Sequence, residues 1–378
     1  MKISEISGRI SAVMIIMALS AELIYTVSGK KYDFSLNENR QLASFPEFSF
    51  SALKDGSYGK QLNEYITDHF FMREKWVSAQ AYIKSDMGEK IMNGVYMDNE
   101  RLLDAEISSR CISGKNINSI NEFFKNHTGM VYFTAVPTSS GVYGDILPEY
   151  LLTNPEKNQI NALYNGLTDG IRKIDAYNIL RMLNDNYIYY RNDTKLTSYG
   201  AYYVYRTVIQ KLGFQPLSYD KYTIKHITSD FRGNLYNKCL YNGTKSDILD
   251  IYNYSGGAEV TGCTAYSNNG MTYRKTLNDE SFLESGDMYR MYIGKEEPFI
   301  KIKTSVNNEK KLLLIKDSYA DCFIQFLIQH YSEIAIISPE NMEKPISSFI
   351  NPNNYEQTLF LFGIDSMNNE NLFDLINK

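Results

Sequence analysis

Apolar and polar positions change rhythm several times along this chain. Residues Ile10 to Val27 read ISAVMIIMALSAELIYTV, an apolar run with a single acid, Glu22. A bilayer-spanning helix needs about 20 mostly apolar residues, so the run predicts an uncleaved membrane anchor over residues 1–29. Lys2 and Arg9 precede it and Lys30 and Lys31 follow, so flanking charge does not fix its orientation. A short tail before the only run of this kind favours the tail inside and the body outside the membrane. Two alternatives stay open: a cleaved signal peptide, with Ala18-Leu19-Ser20 as a small-x-small site and a secreted product, and a buried helix.

Residues 30–57 lack periodicity and read as a linker. Residues 58–92 place Leu62, Tyr65, Ile66, Phe70, Trp76, Tyr82 and Ile83 near helical spacing, which predicts one or two helices. GVYMDNERLL (94–103) reads as a hairpin around Asp98-Asn99. MVYFTAVP (130–137) is a continuous apolar run closed by proline, the pattern of a strand buried on both faces. Helical patterning follows over 158–173, a strand over IYYR (188–191), and a helix over 198–213 with Thr197 or Ser198 as cap and Gly213 as stop. Residues 220–305 are rich in Gly, Asn, Tyr and Thr with short alternating stretches, and predict an irregular, β-rich insertion. KLLLIKDSYADCFIQFLIQHYSEIAIIS (311–338) predicts strand, tight turn, a helix over Ala320–Gln329, and strand; QTLFLFG (357–363) predicts another strand. Strand–helix alternation of this kind makes an α/β fold. Its doubly wound, mainly parallel sheet is expected to include 131–136, 312–316, 334–338 and 358–362, within a body spanning 58–378.

Size and composition narrow the function. A chain of 378 residues that is 43% hydrophobic buries a full core. A net charge of −5 without a basic run argues against a nucleic-acid surface. Cys111, Cys239, Cys263 and Cys322 form no C-x-x-C pair, and His69, His127, His226 and His330 show no metal spacing, so neither a metal nor a cofactor is expected. Cys239 and Cys263 fall in one loop-rich region, which leaves a disulfide between them open. The 31 tyrosines suit either biased composition or platforms for sugar rings.

Two segments carry candidate chemistry. Lys316-Asp317-Ser318-Tyr319 sits where an apolar strand meets a helix, and ligands bind at such carboxyl ends in open α/β sheets. Free N–H groups there stabilise an oxyanion, although an Asp-Ser pair entering a helix is ordinarily a cap. YYRNDTKLTSYGAYYVY (189–205) reads as strand, polar loop and capped helix, with Asp193 and Lys195 as an ion pair.

Together these segments resemble the DHHW family, whose members carry stretches close to YYRTDHHWTSYGAY and KDSYANCF. Here they read YYRNDTKLTSYGAYY and KDSYADCF. ENRQLASFP (38–46), EYITDHFFMRE (64–74), GVYMDNERLL, TAVPTSSGVYGDILP (134–148) and DFRGNLYNK (230–238) extend the likeness from about residue 36 onward. The family is similar in turn to SGNH-like proteins that O-acetylate alginate and other exopolysaccharides. The resemblance implies an SGNH-like α/β body with Ser318 as nucleophile and Asp193 as the acid that orients a histidine. Lys195 stands at that histidine's position, Thr194 at the preceding histidine's and Leu196 at the tryptophan's. Ser338-Pro339-Glu340-Asn341 stands where the family often has Asp-Pro-Arg-Tyr.

Acyl transfer by such a triad needs a neutral proton acceptor. A lysine beside a carboxylate has its pKa raised, so Asp193 works against Lys195 in that role. His330 is expected about 18 Å along the helix from Ser318, out of reach, and nothing positive supports His226. Three readings follow. The first is an extracytoplasmic, catalytically impaired relative of polysaccharide O-acetyltransferases that keeps a glycan-binding or scaffold role, tethered to the membrane by its N-terminal helix. The second is an active serine acyltransferase or esterase acting through Ser318 on a cell-surface or exported glycan. The third is an unrelated surface structural protein. The resemblance also implies a membrane acyltransferase as partner.

Overall fold

Residues 3–28, 32–107, 111–267 and 270–378 are described in the structure, a computed structural model. They fall into two units, one running to Glu89 and taking in Cys239–Asn242, the other made of Lys90–Lys238 and Gly243–Lys378.

The first unit holds α1 (Ile3–Ser28), the short pair β1 (Phe34–Ser35) and β2 (Arg40–Gln41), α2 (Phe50–Lys54), α3 (Ser57–Asp68) and α4 (Arg73–Asp86). The two helices expected over 58–92 are α3 and α4. Charge locks the segment before them onto their corner. Arg40 gives both terminal guanidinium nitrogens to the Asp68 carboxylate, at 2.9 and 2.5 Å, and Arg73 pairs with Glu38. Among the described residues no helix is long and apolar enough to cross a membrane, and residues 1–2 and 29 of the expected anchor lie outside them.

The second unit begins with a three-stranded meander, β3 (Ile91–Met92), β4 (Val95–Met97) and β5 (Leu102–Asp104), which contains the expected hairpin. There follow α5 (Gly114–Asn126), β6 (Met130–Val136), α6 (Ser139–Val142), α7 (Glu156–Gly166), β7 (Arg172–Asp175), α8 (Tyr177–Met182) and α9 (Ser198–Lys211). The next stretch is β8 (Tyr222–Phe231), α10 (Asn234–Cys239), β9 (Asp247–Tyr254), β10 (Val260–Ser267), β11 (Gly270–Arg274) and β12 (Phe299–Thr304). Last come β13 (Lys311–Lys316), α11 (Ile324–Leu327), β14 (Glu333–Ile337) and β15 (Gln357–Gly363).

The main sheet runs in the order β11-β10-β12-β14-β13-β15-β6-β7. β14, β13, β15, β6 and β7 are parallel to their neighbours among one another, while β12, β10 and β11 add on antiparallel. The four strands expected to share a sheet are its adjacent centre. Side chains alternate between two cores, because successive Cβ atoms point to opposite faces. Leu312, Leu314, Leu359 and Leu361 join the core that includes α9 residues Tyr202 and Tyr205, and Leu313, Ile315, Phe360 and Phe362 join the one under Ile120, Phe123 and Leu163 of α5 and α7. Burial on both faces is why these strands read as unbroken apolar runs.

Several expectations need adjusting. The helix expected over 158–173 stops at Gly166, and its last two residues open strand β7. IYYR forms only an isolated bridge, Tyr189 to Leu196. Ala320–Gln329 is not one helix: a 3-10 turn over Ser318–Ala320 leads through further turns to the four-residue α11. Residues 319–327 are buried without a polar face, so packing, not amphipathic periodicity, sets their path. The 220–305 stretch is in part a hairpin, β8 with β9, and in part an extension of the main sheet. No disulfide links Cys239 to Cys263, and Cys111 and Cys322 form none among the described residues.

Candidate functional site

The site grows from the carboxyl end of β13. Asp317 caps the turn that follows: its Oδ1 accepts from the Tyr319 N–H at 3.0 Å, and its Oδ2 accepts from the Gly363 N–H at 2.7 Å and the Ser366 hydroxyl at 2.6 Å. The turn is thereby fixed to the end of β15. A second tie crosses it, since Lys316 Nζ reaches Asp321 Oδ1 at 2.6 Å and both side chains are 1% exposed. With Asp317 doing the capping, Ser318 is left half-buried, and its hydroxyl makes no hydrogen bond among the described residues. A serine that merely capped a helix would spend its oxygen on a backbone N–H.

The second segment is a tight loop. Tyr190 N–H bonds the Lys195 carbonyl at 3.2 Å, and Thr197 caps α9 by accepting from Gly200 N–H. Asp247 braces the loop from below, accepting from Arg191 N–H, Asn192 N–H, the Asn192 amide and the Tyr187 hydroxyl. Asp193 is 1% exposed. Its Oδ1 faces the Lys195 N–H at 3.1 Å and Lys195 Nζ at 3.4 Å, and its Oδ2 accepts from Asn234 N–H at 2.8 Å. Gly233 makes that last bond possible: a Cβ there would fall 2.2 Å from Asp193 Oδ2.

The two segments meet. Cys322 Sγ lies 3.6 Å from the Leu196 carbonyl, to which it donates, and the Tyr319 phenol, close to the Thr194 side chain, donates to Asp365. Gly363 lets the Tyr319 ring lie flat against β15, because a Cβ there would sit 2.3 Å from the ring. Lys195 therefore shares one charged neighbourhood with Asp193, Asp287, Asp365 and Asp321. Burial alone would push the ammonium's pKa down, but these carboxylates, Asp193 foremost, outweigh it and hold the pKa well above the ordinary lysine value. The Tyr289 ring, 5.2 Å from Nζ, adds a cation–π contact. Burial pushes the Asp317 carboxyl up to about 8, against the hydrogen bonds from Ser366 and Gly363. It pushes Asp321 up to about 7, against the pull of Lys316.

Of the sequence candidates, the structure brings the Asp193–Leu196 and Ser318–Cys322 segments together. His330 lies apart from them, bonded through Nε2 to the Tyr205 hydroxyl at 2.7 Å, and His226 pairs with Asp250 on the outer hairpin. Asp321, Asp365, Asp287 and Asp247 were missed from sequence. Asp321 and Asp365 carried one signal, an acid just past an apolar strand; the other two carried none. Among the described residues no cluster of His, Cys, Asp and Glu is placed to hold a metal ion.

A model of the DHHW protein family matches residues 81–337. Among solved structures, a DHHW family protein from Eubacterium siraeum is similar over 74% of this chain and 96% of its own, at 23% identity and a TM-score of 0.59. Bacillus cereus PatB1, solved with a sulfonyl adduct, is similar over 74% of this chain and 97% of its own, at 19% identity and a TM-score of 0.62. The O-acetyltransferase domain of Pseudomonas putida AlgJ is 13% identical over 73% of this chain and 92% of its own with a TM-score of 0.46, a likeness too loose to bear on function. No curated protein matches the chain.

Proposed function

Because the chain belongs to the DHHW family, we propose that it is an extracytoplasmic, membrane-tethered relative of the SGNH-like polysaccharide O-acetyltransferases that keeps the nucleophile and orienting acid, Ser318 and Asp193, but has lost turnover. Its remaining role is to bind or scaffold a glycan during polysaccharide modification, beside a membrane acyltransferase. One observation carries this reading: Lys195 Nζ lies 3.4 Å from Asp193 Oδ1, with both side chains buried. For Ser318 Oγ to attack an acyl carbon, its proton must pass to a base. A protonated ammonium pinned by carboxylates has no lone pair to receive it. Glu340, at the position where the family often has arginine, adds a negative charge within electrostatic reach of Lys195. The two departures thus compensate in charge, which suits a site stabilised in a new state rather than one merely eroded. PatB1, of similar fold, has been obtained with a sulfonyl adduct; sulfonyl reagents trap nucleophiles, a chemistry that the unbonded Ser318 hydroxyl suits.

The test compares wild type with Ser318→Ala for hydrolysis of para-nitrophenyl acetate and for binding of polysaccharide fragments by calorimetry. Equal, background hydrolysis with binding retained is expected. Robust hydrolysis abolished by Ser318→Ala overturns the reading in favour of an active serine esterase. One observation favours that alternative: Asp321, three residues past Ser318, has its Oδ2 buried without a hydrogen-bond partner and its carboxyl pushed up to about 7 by burial. An active enzyme that uses it as proton acceptor would lose turnover in Asp321→Asn.

A further inference from the structure

Exposed apolar side chains are distributed very unevenly. Between residues 32 and 89, 15 large hydrophobic side chains of the described residues are exposed, whereas between residues 90 and 378 there are 6. The longer stretch is the ordinary case, since scattered single exposures need no explanation. The shorter one is not. Phe50 is 81% exposed, Trp76 63%, Phe48 59% and Met87 74%. On α4 the exposures follow the helix: Met72, Trp76 and Ile83 fall at helical spacing, with Met87 at its C-cap. An apolar stripe at this spacing is what a helix ordinarily turns inward; here it is turned out, and the face toward the unit buries only Ala81.

We propose that this aromatic face of the first unit, centred on α4 and on Phe48 and Phe50 around α2, lies in the interfacial layer of a lipid bilayer. The proposal rests on the membrane-tethered reading above and adds a second, monotopic contact to it. Three features favour lipid over a protein partner. The face is continuous with the apolar N-terminal run: Tyr25, near the end of α1, packs edge-on against Phe71, two residues before α4, ring centroids 4.9 Å apart. Where they meet, a recess of about 420 Å³ opens, lined by Phe34, Phe70 and Met72 and also by Asp68, Glu74 and Lys75, with space for an acyl chain. The residue types are those of the interface, Phe, Tyr and the chain's only tryptophan, interleaved with the exposed Lys54, Lys60 and Lys75, a residue type whose apolar stem and charged tip suit the headgroup layer.

Because Trp76 is the only tryptophan, its fluorescence reports on this face alone. The full chain is reconstituted in phosphatidylcholine–phosphatidylglycerol vesicles, with and without brominated acyl chains. The expected result is a blue-shifted Trp76 emission that brominated lipid quenches and aqueous iodide does not, together with loss of that quenching in Ile83→Glu/Met87→Glu, whose side chains are exposed in the fold. Emission that stays red and open to iodide overturns the proposal. So does quenching unchanged in the double variant, since a tether alone would then bring Trp76 near lipid. A blue shift that ignores bromination and grows with protein concentration also overturns it, in favour of a second copy as the occupant. None of these readouts depends on Ser318, so failure here leaves the reading of the catalytic segments standing, and failure there leaves this one.

Discussion

Lys195 and Asp193 form a buried ion pair, Nζ to Oδ1 at 3.4 Å, where the resemblance places a histidine beside its acid. If the lost proton acceptor is what silences Ser318, Lys195→His should raise Ser318-dependent acetyl-ester hydrolysis over wild type by about 10²–10⁴-fold, the usual span for a general base. Adding Ser318→Ala should erase the gain. Leu196 is best left alone: it is 1% exposed, and tryptophan there would overpack the core. A Lys195→His protein no faster than wild type would count against the impairment argument.

Gly233→Ala should damage the site from outside it. The new Cβ would fall 2.2 Å from Asp193 Oδ2, so either the Asn234 N–H bond or the loop must yield. The expected loss is roughly 1–3 kcal/mol in urea unfolding, as for other overpacking changes. A variant as stable as wild type would mean that Asp193 is not held as described.

The Lys316–Asp321 pair across the Ser318 turn is buried at both ends, 2.6 Å apart. Lys316→Met leaves a carboxylate alone in the core and should cost about 3–5 kcal/mol, while Lys316→Met/Asp321→Leu should recover most of that, because the pair's desolvation offsets much of its attraction. Denaturant midpoints of the three proteins decide the point. Equal loss in the single and double variants would contradict it.

His330 sets an acid limit on stability. It is 6% exposed, and burial pushes its pKa from 6.5 to about 4. A depressed pKa means that the unfolded chain takes up the proton first. The contribution is whole above about pH 6.5, declines as the pH falls, and is gone below about pH 4, a total of roughly 3 kcal/mol. In His330→Gln, melting temperature should fall less steeply over that window; a residual slope of the same sign is expected from His127, whose pKa burial also lowers. An unchanged slope would remove His330 from the account.

The central strands were legible because burial on both faces leaves unbroken runs such as Leu312–Ile315, and the turn at Ser318 because polar residues end one of them abruptly. The meeting of the Thr194–Leu196 loop with the turn after Ser318 came only through resemblance, since periodicity carries no information on contacts about 125 positions apart. Conformation inside fully buried stretches was not legible. Tyr189 and Tyr190 are apolar by pattern, yet the loop obeys Asp247, an acceptor nearly 60 residues on. Gln325 similarly fixes the chain after Ser318 by accepting from Tyr252 N–H and donating to the Cys322 carbonyl and Ser198 hydroxyl. Single polar side chains that satisfy a buried backbone override the propensity of their surroundings.

The place of β15 in the sheet bears on how the molecule is made. It lies between β13 and β6, yet follows both in sequence, and its first residue, Gln357, pairs with Leu312 on one flank and Met130 on the other. Until it arrives, β6 and β13 each present an unpaired edge across a gap one strand wide, the kind of edge that recruits foreign strands. A chain emerging from its amino end therefore cannot complete this sheet stepwise; insertion of one late strand closes the β6 side, the Asp317–Gly363 tie and both cores at once. Folding should be slow for the size of the unit, and the exposed interval is where a chaperone or a competing strand would act.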